Sequence, residues 1–283
     1  MSSIFAGFEV KMMKIRVCGL EIDDIGLDRA VKEAFRDGSP CFAVTPNARM
    51  LWDCARDPAH RRLLSRASLI LPDGIGVVRA ARQAGTPLRH GRVAGIDFGE
   101  ALCRVAAERG ERVFLLGGRD GVAERAAGAL QARYPTLTVA GTYWGYFNRY
   151  GEEDRRLTTV LRACRPSVLL VCLGYPAQEE WIASHLPLLP SVRVAAGLGG
   201  SFDVWSGRVK RAPTLWQNAG LEWAWRMLHE PSRMAELPAL LRFSQLARKN
   251  APKSDVKLHR TEVSDGLPID NCYENDNFQS KPL

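Results

Sequence analysis

The 283-residue chain is 46% hydrophobic and 25% charged with a net charge of +8, a globular composition with enough apolar residues for a sizeable core, which excludes a wholly disordered protein. No apolar stretch reaches the roughly 18 to 20 residues of a membrane span, and Met1 to Lys14 lacks the apolar core and cleavage site of a signal peptide, so any membrane contact is made from the surface. The seven cysteines (18, 41, 54, 103, 164, 172 and 272) are odd in number, fall mostly in apolar runs and form no Cys-x-x-Cys pair, which fits a reduced, cytoplasmic chain and excludes a zinc site.

Residues 1–13 read as an N-terminal extension. From there, short β-rich runs alternate with segments of helical period, the signature of a parallel sheet covered by helices. Strands are expected near Lys14–Cys18, Cys41–Val44, Ser68–Leu71, Arg112–Leu116, Thr136–Ala140, Ser167–Leu173 and Val192–Ala195. Between them, Phe98, Leu102, Val105 and Ala106 share one face of a helix, and Leu157, Val160, Leu161 and Cys164 share one face of another. The second helix opens on Glu152, Glu153 and Asp154, acids that suit the positive end of a helix, and stops before Pro166. Residues 14–203 therefore read as a Rossmann-like α/β domain.

After Gly199-Gly200 no further strand is expected. Residues 204–249 carry tryptophans at 205, 216, 223 and 225 and eight Lys or Arg against three acids, and read as a basic helical appendage. Leu221, Trp225 and Leu228 line one face of it, with Trp216, Trp223 and Met227 on a neighbouring one. Such faces serve either to pack on the body or to enter the headgroup level of a membrane. Residues 250–283 are polar and aperiodic and read as a disordered tail.

Chemistry is expected at the carboxyl ends of strands, where parallel sheets bind ligands. Three turns fall there: Thr45-Pro46-Asn47, Pro72-Asp73-Gly74 and Gly117-Gly118. Asp73 suits two roles, an Asx turn capping the helix that begins near Ile75 or a general base at a strand end. Asn47 either caps the helix after it or joins Thr45 in holding sugar hydroxyls. The Gly117-Gly118 turn either serves the fold alone or offers bare amides to a phosphate before a helix opening at Asp120. Gln178, in Gly174-Tyr175-Pro176-Ala177-Gln178-Glu179, is either a helix-start residue or a ligand near the same rim. The absence of any Asp-x-Asp pair and the scatter of the histidines argue against a carboxylate-held metal. There is no Gly-x-Ser-x-Gly elbow, Walker loop or strand-linked Gly-x-Gly-x-x-Gly.

Taken in order, Thr45-Pro46-Asn47, Leu71 to Gly76, Arg92-Val93-Ala94-Gly95-Ile96-Asp97, Phe114 to Gly118, Gly174 to Glu179, Gly197 to Asp203 and Arg208 to Pro213 resemble the WecG/TagA/CpsF glycosyltransferase family. The match runs from about Lys14 to Phe243. The resemblance implies a metal-independent, inverting hexosyltransferase that uses no cofactor. Its donor would be a UDP-sugar of the glucose or N-acetylmannosamine type, and its acceptor an undecaprenyl-diphosphate-linked saccharide in envelope or exported polysaccharide synthesis.

It also implies that Asp73 deprotonates the acceptor, that Thr45, Asn47 and Gln178 flank the transferred sugar, and that Gly117 and Gly118 line the donor site. Tyr146 and Asp203 would contact the nucleoside, and Arg226 and Arg233 of the appendage would meet the diphosphates. Many members keep a basic residue where this chain has Glu236; Arg242 offers a substitute. The setting implied is peripheral, on the inner leaflet of the cytoplasmic membrane, and a homo-oligomer is open. A UDP-uronic acid is an alternative donor, for which Arg49 is the nearby cation. Nucleic acid is not an expected partner, since the basic stretch carries no known binding motif.

Overall fold

The computed structural model describes residues 13–229 and 242–243. The expected N-terminal extension up to residue 12, the tail from 250 and most of 230–249, including Arg233 and Glu236, lie outside the described residues. In chain order the elements are β1 (Lys14–Val17), β2 (Leu20–Asp23), α1 (Leu27–Ala34), β3 (Cys41–Val44), α2 (Ala48–Arg56), α3 (Pro58–Leu64), β4 (Leu69–Ile70), α4 (Ile75–Gln83), α5 (Gly95–Arg109) and β5 (Arg112–Gly117). They continue with α6 (Val122–Arg133), β6 (Thr138–Tyr143), α7 (Glu152–Cys164), β7 (Val168–Cys172), α8 (Ala177–His185), a 3-10 turn (Leu186–Leu188), β8 (Val194–Gly197), α9 (Ser201–Trp205), α10 (Thr214–Asn218) and α11 (Glu222–His229).

Strands β3 to β8 form a six-stranded sheet in the order β4-β3-β8-β7-β5-β6, parallel throughout. Every residue of β3, β7 and β8 is buried, as expected of strands covered on both faces. Side chains alternate between two cores. Cys41, Ala43, Val113, Leu115, Val168 and Leu170 face one that contains residues of α1, α5, α6 and α9. Phe42, Val44, Phe114, Leu116, Leu169 and Val171 face the other, with residues of α2, α4, α7 and α8. The chain is thus a Rossmann-like α/β fold, and among the described residues no helix is long and apolar enough to cross a membrane.

The run at Lys14 is the exception to the expected parallel sheet. β1 pairs antiparallel with β2 in a separate two-stranded sheet. Cys18 and Gly19 both have positive φ, 51° and 80°, the mirror-image turn that lets two strands fold back on each other. The buried Asp23 at the end of β2 accepts the N–H of Ile70 at 2.8 Å, so the hairpin is bonded to β4, the edge strand of the large sheet.

Both expected helices form. In α5 the buried residues include Phe98, Leu102 and Ala106, and in α7 they are Leu157 and Leu161, whereas Val160, expected on the same face, is exposed. Beyond β8, α9 belongs to the body: Phe202 and Trp205 are buried in the first core. Phe243, at 2% exposure, joins the second.

Candidate active site

The site is built from the inner end of the sheet, where the connections leave β5 and β7 in opposite directions. β5 leads through α6 on one face to the edge strand β6, and β7 leads through α8 on the other face back to β8. Diverging connections open a crevice at the carboxyl ends of the strands. The turns after β5 and β7 border it, and those after β8, β3 and β4 follow in that order along the same end of the sheet.

Backbone bonds tie the first two turns together: Asp73 N–H donates to Pro46 O at 3.0 Å, and Val93 N–H to Pro72 O at 2.8 Å. Helix α4 starts from Gly74, which has no side chain to cap it. The Asp73 carboxylate is turned toward α5, where Oδ2 accepts the N–H of Gly95 at 3.3 Å. That N–H is the first of a 15-residue helix and has no partner within it, so the carboxylate meets both a hydrogen bond and the positive end of the helix.

Thr45 stands beside this bond. A Cβ on Gly95 would lie 2.6 Å from Thr45 Oγ1, so only glycine lets α5 begin there. Thr45 Oγ1 in turn reaches Gly197 O at 3.5 Å, at the end of β8. Asn47 is the N-cap of α2, its Oδ1 accepting from Arg49 and Met50 N–H at 2.9 and 3.1 Å. The helix-cap role is therefore filled by Asn47, whose helix abuts α4: a Cβ on Gly76 would lie 2.7 Å from Ala48 Cβ.

Gln178 is almost wholly buried, at 4% exposure, with Oε1 accepting Gly199 N–H at 3.1 Å. Its Nε2 donates to Glu179 Oε1 at 2.8 Å. Asp73, Gly95, Thr45, Gly197, Gln178 and Glu179 are thereby linked contact by contact along one side of the rim.

Gly117 and Gly118 form the other side. The Gly118 N–H, expected as a bare amide, donates to Cys172 O at 3.0 Å, and Gly118 O accepts Gly145 N–H at 2.8 Å. α6 starts at Val122, later than the expected Asp120, from Gly121 as N-cap. What these glycines contribute is room. Gly117 has a φ of 132°, and a Cβ there would lie 2.3 Å from Cys172 O.

The loop after β6 lies across this turn, bringing in Tyr146, 65% exposed and 6.5 Å centroid to centroid from Trp144. Asp203, in α9, is ion-paired with Arg208 at 2.7 Å. The Ser201 N–H, just before it, donates to Leu198 O at 3.2 Å, and burial pushes the pKa of the nearby Cys172 thiol well above the usual range.

The appendage residues approach the Asp73 side. Gly220 packs on Ile75, leaving 2.9 Å between a Cβ and Ile75 Cγ1. Glu222 of α11 accepts from Arg92 at 3.1 Å, and Arg211 pairs with Asp97 in the first turn of α5 at 2.6 Å. Arg226 is a residue of α11, Arg242 is exposed, and Arg233 lies outside the described residues. Among the described residues, no group of three or more His, Cys, Asp or Glu is gathered as a metal site.

Sequence reasoning did not single out Gly95, Gly145, Gly197, Glu179 or Glu222. For Gly95, Gly197 and Glu179, membership of the ordered motifs was a usable signal. Glu222 stands in Leu221-Glu222-Trp223, a stretch that also carries the family resemblance, and nothing in the local spacing marks Gly145.

Known proteins resemble this chain over most of its length. The sequence model of the family described as "Glycosyl transferase WecG/TagA/CpsF family" matches residues 15–254. A protein of Bacillus spizizenii (strain ATCC 23059 / NRRL B-14472 / W23), named N-acetylglucosaminyldiphosphoundecaprenol N-acetyl-beta-D-mannosaminyltransferase, is 35% identical over 220 residues, 78% of this chain and 83% of its own. A Staphylococcus aureus (strain MW2) protein of the same name is 32% identical over 232 residues, 80% of this chain and 89% of its own.

Proposed function

This chain belongs to the glycosyl transferase WecG/TagA/CpsF family, and we propose that it is an inverting, metal-independent hexosyltransferase. In this reading a neutral hexose passes from a UDP-sugar to an undecaprenyl-diphosphate-linked saccharide at the inner membrane surface. The names of the relatives make N-acetylmannosamine the first donor to test and an N-acetylglucosaminyl-diphosphate lipid the first acceptor. Glucose is the second donor.

The observation that carries the reading is the Asp73 carboxylate, held by the Gly95 N–H where the strand-end turns meet, with Thr45 beside it. The acceptor hydroxyl oxygen attacks the anomeric carbon on the face opposite UDP. The carbon–oxygen bond to the diphosphate breaks, UDP leaves with the electron pair, and the hydroxyl proton passes to Asp73. One displacement inverts the anomeric centre.

Thr45, Asn47 and Gln178 are assigned to the transferred sugar, Gly117 and Gly118 to the donor pocket, and Tyr146 and Asp203 to the nucleoside. Arg226 and Arg233 are assigned to the diphosphates, whose departing charge cations stabilise without a metal.

Proton removal by a placed side chain is worth on the order of 10² to 10⁴ in rate. Asp73→Asn should lower turnover by about that factor and leave UDP binding, measured by calorimetry, within about threefold of the wild type. Turnover near the wild-type value would remove Asp73 from the role.

A further inference from the structure

Glu179 follows Gln178 in the first turn of α8 and is completely buried, at 0% exposure. A carboxyl group in such a place is costly unless it is bonded. Its Oε1 accepts from Gln178 Nε2 at 2.8 Å, while Gln178 Oε1 accepts the Gly199 N–H at 3.1 Å. A backbone N–H can only donate, so the Gln178 oxygen must face Gly199 and its NH2 must face Glu179. Gly197 closes over the pair: a Cβ there would lie 2.8 Å from Gln178 Nε2 and 3.2 Å from Glu179 Oε1. Glu179 Oε2 has no hydrogen-bond partner among the described residues.

The geometry points to Glu179 as a positioning residue for sugar transfer: it fixes the Gln178 amide so that one N–H is held by Glu179 and the other is presented to a hydroxyl of the donor sugar. This rests on the assignment of Gln178 to the transferred sugar. Without the acceptor at Glu179, the amide loses one of its two anchors and its N–H group no longer has a set direction.

The charge on Glu179 modulates the grip. Burial pushes its carboxyl up to about 7, with Glu180 on the same helix adding to the rise and the Gln178 bond opposing it. Tyr175, in the β7–α8 loop, feels the charge of Glu179, and its hydroxyl is hydrogen-bonded to His60 of α3. Arg49 and Asp53 of α2 pair with each other at 3.0 Å, and β8 presents Gly197. An ionised acceptor makes the stronger hydrogen bond. The KM for donor therefore falls as pH rises through about 7.

The test is steady-state kinetics of full-length wild type, Glu179→Ala, Glu179→Gln and Gln178→Ala, with UDP-N-acetylmannosamine and UDP-glucose, between about pH 5.5 and 9, with circular dichroism as the check on folding. Glu179→Ala should raise donor KM about tenfold with a smaller effect on kcat. Glu179→Gln, which keeps an acceptor oxygen but no titration, should stay within about threefold of wild type near pH 6 and lose the change in KM around pH 7. If Glu179→Ala is folded and leaves KM within twofold while Gln178→Ala raises it, the positioning role is wrong and the sugar assignment stands. If Gln178→Ala also leaves KM unchanged, the sugar assignment fails first. Should Glu179→Ala not fold, persistence of the pH-dependent KM in Glu179→Gln overturns the proposal.

Discussion

Glu179 also has a consequence for stability that is independent of catalysis. Its carboxyl is raised from 4.5 to about 7 in the folded protein by burial. Between those values the folded chain holds a proton that the unfolded chain has released, so stability falls as pH rises through this window and stays lower above it. A shift of this size corresponds to on the order of 3 kcal/mol. Glu179→Gln should therefore be more stable than wild type at pH 8 and close to it at pH 4.5, which urea denaturation at the two values would show. Equal effects at both would mean that Glu179 is not buried as an acid.

Asp73 is the contrasting case at this scale. Its flanks, Pro72 and Gly74, mark a turn in the sequence, and on that motif alone a helix cap is the favoured reading over a base. The partner that gives the carboxylate its direction, Gly95, is 22 residues away in the chain. A contact of that separation leaves no trace in local spacing.

At the scale of elements, α10 and α11 carry a division that composition hinted at and packing sharpened. Met227 is buried, at 9% exposure, whereas Leu215, Trp223 and Leu228 are exposed at 78%, 43% and 70%. Trp225 donates to Lys210 O at 3.3 Å and lies 5.6 Å from Trp216, so part of the aromatic content serves the appendage itself. In the proposed reading this exposed set is the one that would meet a lipid surface. Leu215→Glu with Leu228→Glu should reduce co-sedimentation with anionic lipid vesicles several-fold. These side chains are largely exposed, so stability should change by no more than about 1 kcal/mol. Unchanged pelleting of the folded variant would count against membrane binding through this face. The β1–β2 hairpin teaches a related lesson. The Lys14 run reads as a strand, but its neighbour was decided by the reversal at Cys18-Gly19 rather than by its own apolar residues.

For the whole molecule, the sheet order brings residues far apart in sequence to one rim, and the reaction proposed there needs no metal. Two measurements bear on this. Release of UDP from UDP-N-acetylmannosamine, with a synthetic N-acetylglucosaminyl-diphosphate lipid as acceptor, should persist undiminished in EDTA, and loss of activity restored by Mg²⁺ would refute the metal-free reading. In a donor panel, neutral hexoses should outrun the uronic acid.

The sequence by itself determined the class of the fold and its ordered motifs. Apolar strand runs and amphipathic helices are local patterns set by the periods of strand and helix. It also named the turns at which chemistry is expected, because Pro, Gly and Asp constrain the backbone locally. The tertiary structure alone decided the partners: Asp73 with the start of α5, Gln178 with Glu179 and Gly199, and Gly118 with Cys172 in place of an open amide. These bonds depend on which strands lie side by side, and strand order is set by burial of both sheet faces at once, a condition that no single segment of the chain encodes.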